Sequence, residues 1–182
     1  MLNSEVQVET AVRCSIIFSA GNDSSRLKTY LLFLREAKLP ENYELVVIND
    51  QHLQIDEGQL GEFRLSVKVL NADGPLPQQQ LFDTAATAAK GKFLLFVRSM
   101  VSFDKLVLQE SIQELENSGQ SLSVSANGIF VLAERAHYTS VGGFARLFNG
   151  FALPKEQAAF MPSGQISHFR NLCNERVPFQ CG

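Results

Sequence analysis

At 182 residues, with 45% hydrophobic and 19% charged side chains, the chain has the make-up of one globular domain large enough to bury a core. A net charge of -3 and the lack of any basic stripe leave no source for the phosphate neutralisation that nucleic-acid binding needs. No apolar run approaches the roughly 20 residues that cross a bilayer, and Met1 to Thr10 is polar and acidic, unlike a secretory leader, so a cytoplasmic chain without a transmembrane segment is expected.

Cys14 to Phe18 is a short apolar run that reads as a buried first strand, with Cys14 as a small core residue. Asp23 or Ser24 can cap the helix that follows, in which Leu27, Leu31 and Leu34 share a face and which Pro40 stops. Glu44 to Ile48 is a second buried strand, followed by a polar turn at Asn49, Asp50 and Gln51. A weak helix near Leu53 to Leu60 leads to a third strand over Leu65 to Leu70. After the loop from Asn71 to Pro75, Pro77 suits the first turn of a helix that runs to Lys90, with Leu81, Ala85 and Ala88 inward and Gly91 as its cap. Phe93 to Val97 is the most apolar strand. A helix from Asp104 to Ser118 then buries Leu108, Ile112 and Leu115 and ends at Gly119. Asn127-Gly128, between the apolar runs Leu122 to Ala126 and Ile129 to Ala133, predicts a late β-hairpin. Cys173 and Cys181 lie in the tail without a ligand cluster, which is not a zinc pattern, and their pairing stays open.

Strands that are apolar throughout and alternate with helices imply an α/β fold with a mostly parallel sheet covered on both faces. The late hairpin adds mixed character at one edge. Ligands of such sheets bind outside the carboxyl ends of strands, where strand order reverses. That directs attention to Ser19 to Asp23, Asn49 to His52 and Arg98 to Ser102.

Four segments carry a family resemblance. Ser15 to Asn22 (SIIFSAGN) is similar to the opening strand of the family 2 glycosyltransferases, and Tyr43 to Asp50 (YELVVIND) to their second. Ala89 to Val97 (AKGKFLLFV) resembles the stretch before their metal motif, and Val141 to Phe144 (VGGF) their acceptor-side Gly-Gly-Phe. Phe160 to Pro162, continuing to His168, is a fainter echo of the family's late Pro-then-His segment. The likeness spans about residues 13 to 168. It implies a GT-A, Rossmann-like three-layer domain over residues 13–170, flanked by an N-terminal extension (1–12) and a C-terminal tail (171–182).

The resemblance implies transfer of a sugar from a nucleotide-diphosphate donor. The family screens the leaving diphosphate with manganese or magnesium held by an Asp-x-Asp after the fourth strand, and an acid takes the acceptor's proton. Here Arg98-Ser99-Met100 stands in place of the Asp-x-Asp, so no metal cofactor is expected. Arg98 is either a guanidinium substitute for the metal or a surface residue paired with a local acid. Glu156 is the one nearby carboxylate for the proton, or else a solvated helix residue. Nucleotide contacts are expected from Ser19, Asn22, Asn49, Asp50 and Asp83, although Asp50 also suits a plain turn and Asp83 a solvated helix turn. His168 matches a family histidine that can join the metal.

Two further readings stand beside a weakly active or inactive transferase-like domain. One is a non-catalytic module that binds a protein partner in glycan or cell-surface polysaccharide assembly. The other is a sugar nucleotidyltransferase, because Ala20 to Leu27 (AGNDSSRL) resembles that class's glycine-rich phosphate loop, with Asn22 and Ser24 where it has glycine.

Overall fold

The computed structural model describes residues 11–149, apart from 56, 73, 75, 126 and 127, together with a strand at 166–169. The chain begins with β1 (Cys14–Ser19), α1 (Ser24–Glu36), β2 (Tyr43–Asn49), α2 (Glu57–Gly61) and β3 (Ser66–Asn71). It continues through α3 (Gln78–Ala88), β4 (Phe93–Val97), α4 (Lys105–Ser118), β5 (Leu122–Ser125) and β6 (Phe130–Glu134). The helices α5 (Arg135–Val141) and α6 (Phe144–Asn149) follow, and β7 (Ile166–Phe169) is the last described element.

The strands form one seven-stranded sheet in the order β3-β2-β1-β4-β6-β5-β7. The first four in that order run parallel, β6 is antiparallel to both β4 and β5, and β7 pairs parallel with β5. The mixed character therefore lies inside the sheet, not at an edge as the hairpin suggested. β5 and β6 do pair as a hairpin, linked through residues 126–129. Gly128 closes this turn with its N–H on Ser125 O at 2.8 Å and takes a left-handed φ of 67°.

The period of two along the central strands divides the core. Ile16 and Phe18, Leu45 and Val47, and Leu95 and Val97 pack beneath α1 and α4, against Leu27, Leu31, Leu34, Leu108, Ile112 and Leu115. Ile17, Val46, Ile48, Leu94 and Phe96 face the other way, against Leu81, Phe82 and Ala85 of α3, Tyr138 of α5, and Phe144 and Leu147 of α6. This is a three-layer α/β arrangement, and it explains why the strands are apolar on both faces.

The helix boundaries follow their caps. Asp23 accepts from the N–H of Ser25 and Arg26 at 2.9 and 3.0 Å and starts α1, and Asp104 accepts from Leu106 N–H at 2.8 Å and starts α4. Gly119, at φ 68°, ends α4. The third helix departs from the sequence reading. It stops at Ala88, Ala89 leaves it in extended backbone, and Ala88 is only half-buried while Phe82 and Ala86 are buried instead. Gly91 is not its cap. A Cβ there would lie 2.5 Å from Ser15 N, so the position needs glycine for close approach. The weak helix near Leu53 reduces to the single turn α2, and α5 and α6 are additions that the sequence reading did not contain.

Candidate functional site

Because β2 and β3 extend the sheet on one side of β1 and β4 lies on the other, strand order reverses at β1, and sheets of this topology take ligands beyond the strand ends, here Ser19, Asn49 and Val97. Two of the expected residues meet there. Ser19 Oγ donates to Asp50 Oδ1 at 2.8 Å and accepts from Gly21 N–H at 3.1 Å. Gly21 holds a left-handed φ of 66°, which turns the chain out of β1. Asn22 follows on the exposed rim. Asp50 is half-buried, and its second oxygen meets Gln51 Nε2 only at 3.4 Å.

Asn49 and Asp83 are engaged with the protein itself. Asn49 is 4% exposed; its Nδ2 donates to Leu53 O at 3.0 Å and Asn71 Oδ1 at 2.9 Å, while its Oδ1 accepts from Leu53 N–H at 2.8 Å. It therefore shapes the turn that presents Asp50. Asp83, on α3, accepts from Phe144 N–H at 2.6 Å and from the Tyr138 hydroxyl. Burial first, and then the Asp83 carboxylate, push the Tyr138 hydroxyl well above its ordinary pKa. Gly143 must lack a side chain here, since a Cβ would sit 2.8 Å from Asp83 Oδ1 at an already left-handed φ of 101°. The Gly-Gly-Phe segment is thus one half of a latch whose other half is Asp83. No sequence signal links them, because the partners lie 55 and 61 positions apart.

The turn after β4 carries the third set of residues. Arg98 is exposed, continues the β4–β6 pairing through its N–H on Ile129 O at 2.8 Å, and lays Nη1 on Gly128 O at 3.2 Å. Ser99 Oγ accepts from Arg26 Nη2 at 3.2 Å. Met100 packs against the core cluster beneath α1, its Cε 4.0 Å from where a Cβ on Gly21 would stand. A guanidinium, a hydroxyl that already serves an arginine and a thioether are not the hard, anionic oxygen set that magnesium or manganese takes. These residues do not fit the metal that the resemblance implies. Among the described residues, no three His, Cys, Asp or Glu side chains gather as a cluster. Arg26 stands in the Ala20 to Leu27 segment that resembles a phosphate loop, but no sequence signal ties it to the turn after β4.

Glu156, Phe160 to Pro162, Cys173, Cys181 and nearly all of both flanking segments lie outside the described residues. His168 falls on β7, in register with Val124. Among the described residues, no helix is long and apolar enough to cross a membrane.

The fold matches solved glycosyltransferase structures. One is the mannosyltransferase PcManGT from Pyrobaculum calidifontis in complex with GDP-Man and Mn2+, at TM-score 0.63 and 13% identity over 74% of this chain and 48% of that one. Another is TarS of S. aureus (1-349) in complex with UDP, at TM-score 0.56 and 20% identity over 70% of this chain and 48% of that one. The same protein in complex with UDP-GlcNAc matches at TM-score 0.54 and 18% identity, over 70% and 47%. The chain has a GT-A-like fold and spans about half the length of these structures. No protein-family profile matches the sequence, and no curated protein matches it.

Proposed function

We propose that this chain is a diverged glycosyltransferase-like domain that binds a nucleotide-diphosphate sugar in the crevice beyond β1, β2 and β4, with little or no sugar transfer of its own. The observation that carries the reading is the Ser19–Asp50 pair at the switch point. It is a pre-positioned carboxylate where this sheet topology places ligands, in a fold whose solved examples hold GDP-Man, UDP and UDP-GlcNAc.

In this reading Asp50 accepts from the N–H of a base, Ser19 fixes that carboxylate, and Asn22 contacts the ligand from the rim. Asn49 and Asp83 act from behind, holding the Asp50 turn and the α3–α6 wall. Arg98 lies where the metal acids would be and meets the diphosphate as a cation, so neither manganese nor magnesium takes part. The replaced metal donors also favour a second reading, a non-catalytic module that serves a protein partner in glycan assembly and keeps the crevice for ligand sensing or for structure alone.

Thermal shift with uridine, guanosine and thymidine diphosphates and their sugar conjugates, each with and without manganese, tests the proposal. A ligand that binds the native state raises Tm by mass action. The expected result is a rise with at least one nucleotide diphosphate that manganese does not enlarge. No rise with any of them leaves the partner-binding module as the better reading.

A further inference from the structure

We infer that Arg26 is a second phosphate-binding residue which, together with Arg98, brackets the turn after β4 and grips the β-phosphate of a nucleoside diphosphate without metal; this rests on the proposed nucleotide-binding reading. Arg26 is exposed on the first turn of α1, yet its guanidinium crosses to the β4 turn and donates from Nη2 to Ser99 Oγ at 3.2 Å. Arg98, next in the chain to Ser99, is anchored on Gly128 O of the β5–β6 turn. One guanidinium thus approaches the turn from the α1 side and the other is held toward the hairpin.

Arg26 differs from the arginines that are held in ion pairs. Arg13 pairs with Glu116 at 2.8 Å, and Arg35 pairs with Glu62. Among the described residues, Arg26 has a neutral hydroxyl as its side-chain partner and no carboxylate within ion-pair distance. Asp23, the nearest acid in sequence, is turned onto the N–H groups of Ser25 and Arg26 as the helix cap. The same capping occupies the backbone donors that a helix start would otherwise offer an anion, so phosphate recognition on this side of the crevice falls to the guanidinium. A planar fork of N–H donors matches phosphate oxygens two at a time, which a compact ammonium does not.

The test is isothermal titration of the full chain with uridine and guanosine diphosphates and the matching monophosphates, all in chelator. Arg26→Ala should weaken the diphosphate about tenfold or more, the scale of a lost charge-assisted hydrogen bond, and leave the monophosphate within about twofold. Arg26→Lys should restore only part of the loss, and Tm without ligand should stay within about 2 °C of the parent because the side chain is exposed. A diphosphate affinity unchanged in Arg26→Ala overturns this inference while leaving nucleotide binding intact. Equal losses for mono- and diphosphate refute the placement at the β-phosphate. A parent chain that binds none of the four refutes the inference, and the functional reading falls with it when thymidine diphosphate and the sugar conjugates also fail to bind.

Discussion

The Ser15 hydroxyl donates to Glu44 Oε1 at 2.6 Å and accepts the Gly91 N–H at 2.8 Å, so one buried hydroxyl joins β1, β2 and the turn into β4. The junction lies at the amino ends of these strands, opposite the crevice. The same Glu44 oxygen takes the Lys90 N–H, and its other oxygen meets Lys68 Nζ at 3.1 Å, which in turn donates to Ala88 O at 2.8 Å. Two segments that read as separate family marks in the sequence, Tyr43-Glu44 and Ala89-Lys90-Gly91, are therefore the two sides of one joint.

Gly91→Ala should break that joint. Its Cβ would meet Ser15 N at 2.5 Å, Ser15 Oγ at 2.6 Å and Cys14 C at 2.8 Å, and two of these are backbone atoms of a central strand. Overpacking of this kind costs about 1–3 kcal/mol or more. Urea unfolding should show the midpoint falling with an unchanged slope. A variant as stable as the parent contradicts the close approach.

Glu44 also sets a pH dependence. Burial pushes its carboxyl up, but the hydrogen bonds from Ser15, Lys90 N–H and Lys68 outweigh it and hold the pKa below the ordinary 4.5. A group depressed in the folded state stabilises the fold above its unfolded pKa and loses that contribution as pH falls through the folded value. Glu44→Gln should therefore cost about 1–3 kcal/mol at neutral pH, and the gap from the parent should close on acidification below about 4.5. Denaturant midpoints measured between pH 7 and pH 3 decide it. A gap that stays constant across that range means Glu44 acts by shape alone.

Periodicity made most of the architecture legible. The apolar runs from Cys14, Glu44 and Phe93 are strands of the sheet, and the Leu27-Leu31-Leu34 and Leu108-Ile112-Leu115 stripes are the faces that α1 and α4 bury. What escaped has a common physical cause. α5 is two turns long with only Tyr138 buried, too short for a 3.6-residue period to register. Asp83 and Gly91 are defined by partners 55 to 76 positions away, and a linear pattern carries no information about such distances. By contrast, the place of Arg98 was legible because it directly follows the apolar strand β4. Arg26 reaches the same turn only because α1 packs beside β4.

Removal of the Asp83 carboxylate should loosen the wall formed by α5 and α6. Asp83→Ala leaves the Phe144 N–H and the Tyr138 hydroxyl without their acceptor, at about 1–3 kcal/mol for each buried group. Asp83→Asn keeps an acceptor oxygen and should recover much of the loss. Amide hydrogen exchange at Phe144 gives a local readout. Protection there that is equal in Asp83→Ala and the parent would show that the latch is not what holds α6.

Asp50→Ala bears on the ligand instead of the fold. The side chain is half-buried and tied to Ser19, whose hydroxyl still has the Gly21 N–H once the carboxylate is gone. The variant should stay folded and bind a nucleotide diphosphate about 1–3 kcal/mol more weakly, because the base loses its acceptor. Titration of parent and variant against the same nucleotide measures the difference. Equal affinities assign Asp50 to the turn and move the ligand elsewhere.

The last expectation concerns chemistry: this chain by itself should transfer little or no sugar. Transfer requires the charge on the departing diphosphate to be neutralised and the acceptor's proton to be removed, and the two contributions lower the barrier separately. The first rests on Arg98 in place of the metal acids, and the second rests on Glu156 alone. General-base assistance is worth about 10²–10⁴-fold, so its loss with an incompletely screened phosphate should leave rates near background. Arginines alone can repair the first deficit but not the second, since a guanidinium does not give up its proton near neutral pH. The measurement is donor hydrolysis and transfer across uridine, guanosine and thymidine diphosphate sugars, with chelator present throughout and with Arg98→Ala and Glu156→Gln as companions. Background rates in all three proteins are expected. Turnover that survives chelator in the parent and collapses in both variants would instead establish a metal-independent transferase, with Arg98 stabilising the leaving group and Glu156 taking the proton.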